Sequence, residues 1–281
     1  MTNSGIRPKE PITLMLLGGG MRFPAFIGAL QAIEDKGLNI AKIVGASSGG
    51  AVGALYAAGM TPQVMQQEAM DLDPKRFKDF SLKSLLGGKG LYAGDVLESW
   101  LDEKTRRARF GDGFRIPPCV IATDILNYKP VLFSAASHPD VKVSAAVRFS
   151  VGMPWVYAHR HFAHNGNRHV FVDGSYMAGV VEKQLESQGK TLVLKVVSKR
   201  TLKSPFAGEL TLKKYFLETL NFSMHAIEKE FIAGGKWRDT ILLYCGDIAP
   251  AKFVLTASEK KYLFEQGYEQ TVKYLEYKWG V

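Results

Sequence analysis

The chain has 281 residues, of which 46% are hydrophobic and 22% charged, and its formal net charge is +9. This composition is typical of a globular protein that is long enough to bury a substantial core. No apolar run reaches the roughly 18 residues of a membrane-spanning helix, and residues 1–11 lack the apolar segment of a cleavable secretory signal. These features predict a soluble protein that is not a membrane-spanning one.

The positive charge is concentrated in residues 104–109, in residues 198–203 and around Lys213 and Lys214. Such clusters indicate either a solvated basic surface or attraction to an anionic membrane or a phosphate-bearing substrate. No nucleic-acid-binding motif accompanies them, which disfavours a nucleic-acid partner. Cys119 and Cys245 lie in apolar runs and are interpreted as buried thiols in a reducing compartment. We therefore expect a cytoplasmic protein, with export by a route that needs no cleavable signal as the alternative.

Along the chain, short apolar runs that read as strands alternate with longer amphipathic segments. The predicted elements are, in order, strand Ile12–Leu17, helix Pro24–Lys36, strand Ala41–Val44, helix Gly49–Ala58, and strands Cys119–Thr123, Val170–Val172, Leu192–Val197 and Ile241–Cys245. This alternation predicts an α/β fold with a mainly parallel sheet covered on both faces. In the absence of repeats or linkers, residues 1–281 are expected to form one domain. Its motif-bearing core is residues 12–181, and residues 182–281 complete the sheet and add C-terminal helices.

The segment Lys83–Gly94 interrupts this pattern, because it contains four glycines and no strand signature. In an α/β enzyme an insertion of this kind is either a mobile cover over the site or a surface loop. The sequence leaves both open.

The residues Gly45-Ala46-Ser47-Ser48-Gly49 match G-x-S-x-G between a predicted strand and a predicted helix, which is the context that motif requires. The turn exposes the serine hydroxyl above the sheet edge, and small residues are needed two positions before and after it. Ser47 is flanked by Gly45 and Gly49, whereas Ser48 falls where a helix cap is common. Ser47 is therefore the better candidate nucleophile.

A second glycine run, Gly18-Gly19-Gly20, ends the first predicted strand and precedes Arg22. Backbone N–H groups at the start of a helix have no helical partner and attract negative charge. Beside Ser47 they would form an oxyanion hole. The alternative is a phosphate-binding loop for a nucleotide, but no Lys-Ser/Thr follows and Phe23 replaces the last glycine of G-x-G-x-x-G.

The base that would activate Ser47 is less obvious. His225 is the only histidine beyond residue 169, and it lies in a helix-like segment, so a Ser-Asp-His order is disfavoured. The histidines from His159 to His169 are interpreted as surface or structural residues, with a metal site as the minor alternative. Asp173, followed by Gly174 at a strand end, could accept the serine proton directly. A structural turn aspartate is the simpler alternative.

Together these motifs resemble the patatin-like phospholipase family. The similarity covers most of the chain and rests on the segments Gly18–Arg22, Gly45–Gly50, Ala122–Ser134, Ala146–Pro154, Asp173–Ser175 and Phe253–Tyr268. The resemblance implies a three-layer α/β/α sandwich and a lipid acyl hydrolase with a Ser–Asp dyad. It implies no cofactor and no metal. Departures from the family pattern occur at Phe23, Ser175, Gly179 and Val181.

Carried over residue by residue, the resemblance makes Ser47 the nucleophile and Asp173 its base. It gives Gly18, Gly19 and Gly20 to the oxyanion hole and Arg22 to the basic position after them. The expected substrate is a phospholipid or lysophospholipid, met at a membrane surface. The alternatives are an acyltransferase that uses the same acyl-serine, and a catalytically silent lipid-binding or partner-binding protein with Phe23 blocking the oxyanion hole.

Overall fold

The structure is a computed structural model, and it describes residues 10–186, 189–198, 211–233 and 239–281. The strands are β1 Ile12–Leu17, β2 Ile40–Ala46, β3 Pro118–Asp124, β4 Lys129–Phe133, β5 His161–His164, β6 Asn167–Val172, β7 Thr191–Val197 and β8 Thr240–Tyr244. The α-helices are α1 Pro24–Asp35, α2 Ser48–Ala57, α3 Pro62–Asp71, α4 Leu82–Leu86, α5 Asp95–Lys104, α6 Val143–Ser150, α7 Ala178–Glu186, α8 Leu212–Ala233 and α9 Ala257–Tyr274.

The strands form a mixed sheet in the order β5-β6-β3-β2-β1-β7-β8, with β4 also paired to β3. The five strands from β3 to β8 in that order are parallel, whereas β4, β5 and β6 pair in antiparallel fashion at one end. All six strands predicted from apolar runs occur. The sequence did not indicate β4 and β5, which are short and partly exposed.

The two faces of the sheet are covered by different helices. Along β1 the side chains alternate between them, as strand geometry requires. Leu14 and Leu16 pack into a core with α1, α2 and α9, whereas Met15 and Leu17 pack into a core with α7. Helices on both faces of the sheet make a three-layer α/β/α sandwich, which confirms the predicted fold class.

Helices α1 and α9 pack closely because each has a glycine at the contact. A Cβ atom on Gly28 would overlap the Phe264 carbonyl oxygen, and one on Gly267 would overlap the Ala25 carbonyl oxygen. Helix α9 begins at Thr256, which forms a capping box with Glu259. This helix therefore holds the C-terminal segment firmly against the sheet layer formed by β1 and its neighbours.

The insertion predicted as a cover or a loop contains the short helix α4 and is tied to a second loop by backbone hydrogen bonds. The Leu91 amide donates to the Trp155 carbonyl at 2.9 Å, and the Tyr92 amide donates to the Val156 carbonyl at 2.9 Å. The Ala158 amide donates back to the Tyr92 carbonyl at 2.7 Å. These hydrogen bonds join the insertion to residues 155–158, so the two segments pack as one unit.

Both cysteines are free and buried, as their apolar surroundings predicted. Burial raises the pKa of the Cys119 thiol to about 11 and that of Cys245 to about 12. In the basic segment 104–109, Lys104 pairs with Glu68 and Arg109 donates to the Asp140 carbonyl. Residues 199–203 of the second basic segment lie outside the described residues.

None of the helices within the described ranges combines the length and the apolar character that crossing a bilayer demands.

Candidate active site

Ser47 lies on the turn that joins β2 to α2, at the carboxyl edge of the parallel strands. Its backbone has φ 55° and ψ −131°, a conformation that is strained for a residue with a side chain. The turn is held by a hydrogen bond from the Ser47 amide to Ser150 Oγ at 2.8 Å. This strand-turn-helix geometry, with a strained serine at its tip, is the one the G-x-S-x-G motif predicts.

The glycines of the motif are needed because the strand and the helix approach each other closely there. A Cβ atom on Gly45 would overlap the backbone of Gly50, and one on Gly49 would overlap the Leu16 carbonyl on the neighbouring strand. Each glycine thus meets the backbone of a different element.

Asp173, which directly follows β6, meets Ser47 at this edge. Ser47 Oγ donates a hydrogen bond to Asp173 Oδ2 at 2.7 Å, and the Ser175 amide donates to Asp173 Oδ1 at 2.9 Å. The backbone of Asp173 is fixed as well, since its amide donates to the Gly152 carbonyl at 3.1 Å and its carbonyl accepts from Thr123 Oγ1 at 2.9 Å. The carboxylate is therefore held in place from both its side chain and its main chain.

Gly174, the residue after Asp173, allows a close approach to β3. A Cβ atom here would overlap the Ile121 carbonyl oxygen and would lie 2.9 Å from Ser150 Oγ. A larger residue at position 174 would collide with β3 and with Ser150, whose hydroxyl group accepts from the Ser47 amide. It would therefore displace Asp173 from its position beside Ser47.

The electrostatic surroundings of Asp173 favour its acting as a base. Its side chain is buried, and burial raises the pKa of the carboxyl above its usual range. Hydrogen bonds from Ser47 and Ser175 and the charge of Lys195 lower the pKa and offset part of that rise. A carboxylate with a raised pKa accepts a proton from a hydroxyl more readily than an exposed one does.

The glycine run bends back toward Ser47 in a conformation that side chains avoid. Gly18, Gly19 and Gly20 have φ values of 73°, 106° and 56°. The Gly18 amide donates to the Ala46 carbonyl at 3.3 Å, which extends the sheet pairing by one residue. In the described part of the chain, the amides of Gly19 and Gly20 donate to no carbonyl.

This geometry corrects the expectation for Gly18, whose N–H already has an acceptor in the sheet. Gly18 instead positions the turn, because its carbonyl accepts from Ser48 Oγ at 2.8 Å and from the Gly49 amide at 3.3 Å. Ser48 thus holds the two turns together and its hydroxyl points away from Asp173. The free N–H groups of the run are those of Gly19 and Gly20.

Arg22 was expected beside the substrate, but its guanidinium is occupied inside the protein. It donates to the Gly19 carbonyl at 3.1 Å and to Ser198 Oγ at 2.9 Å, and it forms an ion pair with Glu228. The side chain is 1% exposed. Arg22 therefore stabilises the glycine run from inside the protein, through its hydrogen bond to the Gly19 carbonyl.

The histidines that suggested a metal cluster belong to the β5–β6 hairpin. His169 Nδ1 lies 2.7 Å from Asp124 Oδ2, and the rings of His138 and His164 pack at 4.4 Å between centroids. Within the described ranges, no group of three His, Cys, Asp or Glu residues is arranged to hold a metal ion. His225 lies in α8, with its Nδ1 3.6 Å from Glu228.

An apolar chamber of about 210 Å³ opens on one side of Ser47 and Asp173. Its walls come from α2, α5, α8, the insertion and the loop before α9. Large side chains that line it include Phe23, Phe77, Leu97, Trp100, Val156 and Phe253. Phe23, the residue that departs from the family pattern, also packs against the main core.

A narrow polar space of about 30 Å³ is also lined by Ser47 and Asp173, and it adjoins a second chamber of about 320 Å³. Ser175, Tyr176, Lys195 and Ile227 line both of these spaces. We call them together the polar chamber. The sequence did not indicate Lys195, because it is a single charged residue in an apolar strand. It did not indicate a role for Ser150, because Ser150 is one residue within the segment Ala146–Pro154 that resembles the family.

Comparison with known proteins agrees with this architecture. The model of the family described as "Patatin-like phospholipase" matches residues 14–185, more than half of the chain. An uncharacterized protein, YqhO of Bacillus subtilis, is 25% identical over 278 residues, covering 92% of this chain and 96% of its own. A probable lipid hydrolase, 463L of Invertebrate iridescent virus 6, is 25% identical over 183 residues, 60% of this chain and 61% of its own.

Among solved structures, VipD from Legionella pneumophila has a similar fold. It superposes with a TM-score of 0.59 at 13% identity, over 95% of this chain and 67% of its own. At this identity the similarity concerns the fold alone.

The site is thus a serine on a strained strand-to-helix turn, bonded to a carboxylate at the edge of an α/β/α sandwich. The chain belongs to the patatin-like phospholipase family. The family match and the relatives support a lipid hydrolase at the level of the family.

Proposed function

We propose that the protein is a lipid acyl hydrolase of the phospholipase A or lysophospholipase type that works through an acyl-serine intermediate. The observation that carries this proposal is the 2.7 Å hydrogen bond from Ser47 Oγ to Asp173 Oδ2 at a strained turn. Ser47 is the nucleophile and Asp173 its base. The amides of Gly19 and Gly20 are the oxyanion donors.

In the proposed acylation step, Ser47 Oγ attacks the ester carbonyl carbon while Asp173 takes the hydroxyl proton. The carbonyl oxygen becomes an oxyanion and accepts hydrogen bonds from Gly19 and Gly20. When the tetrahedral intermediate collapses, the ester C–O bond breaks and the leaving alcohol takes the proton from Asp173. The products are acyl-Ser47 and the deacylated lipid.

In the deacylation step, Asp173 takes a proton from water, and the resulting hydroxide attacks the acyl carbon. A second tetrahedral intermediate forms in the same oxyanion site. Its collapse breaks the bond to Ser47 Oγ, which recovers its proton from Asp173. The fatty acid is released and both residues return to their starting states.

The apolar chamber is the proposed site for the acyl chain. It begins at Ser47 and is lined almost entirely by hydrocarbon and aromatic groups, and each methylene buried there contributes about 0.8 kcal/mol. Its volume of about 210 Å³ suits a flexible chain that extends from the dyad toward the insertion.

We also infer contact with a membrane surface through an apolar rim around this chamber. The rim consists of exposed large apolar residues that lie within two positions of a chamber-lining residue in sequence: Phe80, Trp155, Phe222 and Val254. Where exposed apolar side chains form a contiguous patch, that patch marks a surface that meets a lipid or a partner. In the basic segment 104–109, by contrast, Lys104 already pairs with Glu68. The apolar rim is therefore a stronger candidate for membrane contact than that basic segment.

The test replaces each of the two adjacent serines. Ser47→Ala should lower kcat for a nitrophenyl ester by on the order of 10³-fold or more and abolish labelling by a fluorophosphonate. Ser48→Ala is the matched control and should still be labelled, because Ser48 Oγ bonds to the Gly18 carbonyl and not to Asp173. Undiminished hydrolysis by folded Ser47→Ala protein would refute the proposal.

A further inference from the structure

The polar chamber, like the apolar chamber, begins at the dyad, so it offers a second space for the alcohol portion of an ester. Ser47 and Asp173 line both spaces. If the acyl chain occupies the apolar chamber, the glycerol and head group extend through the narrow polar space into the larger one. This step rests on the proposed function.

Lys195 stands at the junction of the two polar spaces. It pairs in register with Leu17 of β1, the residue before the glycine run. Its ammonium nitrogen lies 3.6 Å from the position of a Cβ atom on Gly18, and Ser175 Oγ lies 3.4 Å from that position. A cation and a hydroxyl group therefore border the same short stretch of the polar chamber.

Lys195 is a buried residue whose ammonium group borders the polar chamber and has no matched partner among the described residues. The residue is 4% exposed, and among the residues that the structure describes Nζ donates no hydrogen bond and lies within 4.0 Å of no carboxylate. Its nearest aromatic group is the ring of Phe231, at 5.2 Å. Glu228, one of the carboxylates that act on it, is already bonded to Arg22 and to the Ser198 amide. A cation that lacks a carboxylate partner and borders a chamber is available to bind an anionic group there.

The outer chamber adds further charged groups beyond Lys195, which lines both spaces. The charged residues that line only the outer chamber are Glu182, Glu230 and Lys183, and the rings of Tyr176 and Phe231 lie beside them. Carboxylates and aromatic rings are the groups that recognise an alkylammonium ion. Since Arg22 and Glu228 pair with each other, Lys195 is the cation left beside the dyad, and farther out carboxylates outnumber cations among the residues that line only the outer chamber.

A zwitterionic phospholipid has the complementary order, since its phosphate is next to the glycerol and its ammonium lies beyond. We propose that the polar chamber is the head-group subsite for a zwitterionic phospholipid or lysophospholipid, in which Lys195 binds the phosphate and Glu230 faces the ammonium. Ser175, a departure from the family pattern, supplies a hydroxyl group at the same place.

The experiment compares three lipids that carry the same single acyl chain: lysophosphatidylcholine, lysophosphatidic acid and monoacylglycerol. Wild type should prefer lysophosphatidylcholine to monoacylglycerol in kcat/KM. Lys195→Met should reduce that preference about 10- to 100-fold, the usual effect of losing a charged hydrogen bond. Lys195→Gln is a second variant that keeps a polar group. Lys190→Met, at the position directly before the same strand and paired with Glu10, should leave the preference unchanged.

Glu230→Gln tests the outer part of the chamber. It should lower the preference for lysophosphatidylcholine over lysophosphatidic acid a few-fold, because only the former carries the ammonium group. An unchanged preference would remove Glu230 from the assignment.

An equal loss on lysophosphatidylcholine and monoacylglycerol in Lys195→Met would mean that Lys195 acts on the dyad, and would overturn the phosphate site. A wild type that hydrolyses monoacylglycerol with no preference for a phosphate would overturn it as well. Both results leave the acyl hydrolase intact, whereas failure of that proposal appears separately as hydrolysis by Ser47→Ala.

Discussion

The two chambers that meet at Ser47 differ in both their walls and their chemistry. The apolar chamber is walled largely by helices and by the insertion around Tyr92, with side chains such as Trp100 and Phe253. The polar chamber is built against the sheet itself, from the end of β7 and from α7 and α8, and it contains Lys195 and Glu182.

This difference follows from where each wall lies relative to the strands. The carboxyl ends of parallel strands are where an α/β sheet places its polar reacting groups, and the polar chamber is bounded by such ends. The apolar chamber is covered by added helices and loops, which can carry large hydrocarbon side chains without disturbing the sheet. An ester bound across Ser47 would therefore have its acyl half in an apolar environment and its alcohol half in a polar one.

The largest expected effect comes from changing the dyad, which both chambers share. Asp173→Asn removes the base, so kcat should fall by about 10²- to 10⁴-fold for every ester, whatever its acyl chain or head group. The measurement is kcat/KM on a short nitrophenyl ester and on a long-chain lipid. A loss confined to one of these substrates would contradict the shared role.

Asp124→Asn is the matched control for that variant. Asp124 is also buried at a strand's carboxyl end, but it bonds to His169 and Asn127 and lines neither chamber. Its replacement should preserve the activity of the folded protein. A loss as large as that of Asp173→Asn would show that any buried charge at this sheet edge is required.

Most of the fold could be predicted from the sequence because its central strands are continuous apolar runs. Strand β1 is predicted at its true bounds, since Ile12–Leu17 is flanked by a proline and by glycines. Strands β4 and β5 were missed because each is short and partly exposed, so neither alternates clearly. Their pairing depends on β3 and β6 rather than on their own residues.

The pairing of Ser47 with Asp173 could be anticipated from motifs at two strand ends, although 126 residues separate them. The sequence could not predict the acceptor of the Gly18 amide or the internal ion pair of Arg22, since both depend on segments distant in sequence. The apolar chamber could not be predicted either, because the elements that line it are distant in sequence and no local pattern connects them.

A smaller effect should follow from filling the apolar chamber alone. Ala51 lines it one turn along α2 from Ser47, so Ala51→Phe should shorten the accepted acyl chain. Losing room for about three methylenes at ~0.8 kcal/mol each lowers kcat/KM for long-chain esters roughly 50-fold. An acetate ester should be hydrolysed nearly as before. Ala58→Phe, at the C-cap of the same helix and outside the chamber, is the control, and equal effects of both variants would contradict the assignment.

The smallest expected effect concerns the rim of the apolar chamber, where Trp155 is 66% exposed on a backbone with φ 63°. Trp155→Asn removes the apolar ring and keeps a residue that tolerates this conformation. It should weaken binding to phospholipid vesicles about 10-fold and leave hydrolysis of a monomeric nitrophenyl ester unchanged. Tyr128→Asn is closely matched, since Tyr128 is 86% exposed with φ 51° but belongs to the β3–β4 turn, away from either chamber. Equal weakening by both variants would indicate a general affinity of exposed aromatic residues for lipid, and the rim would then lose its special role.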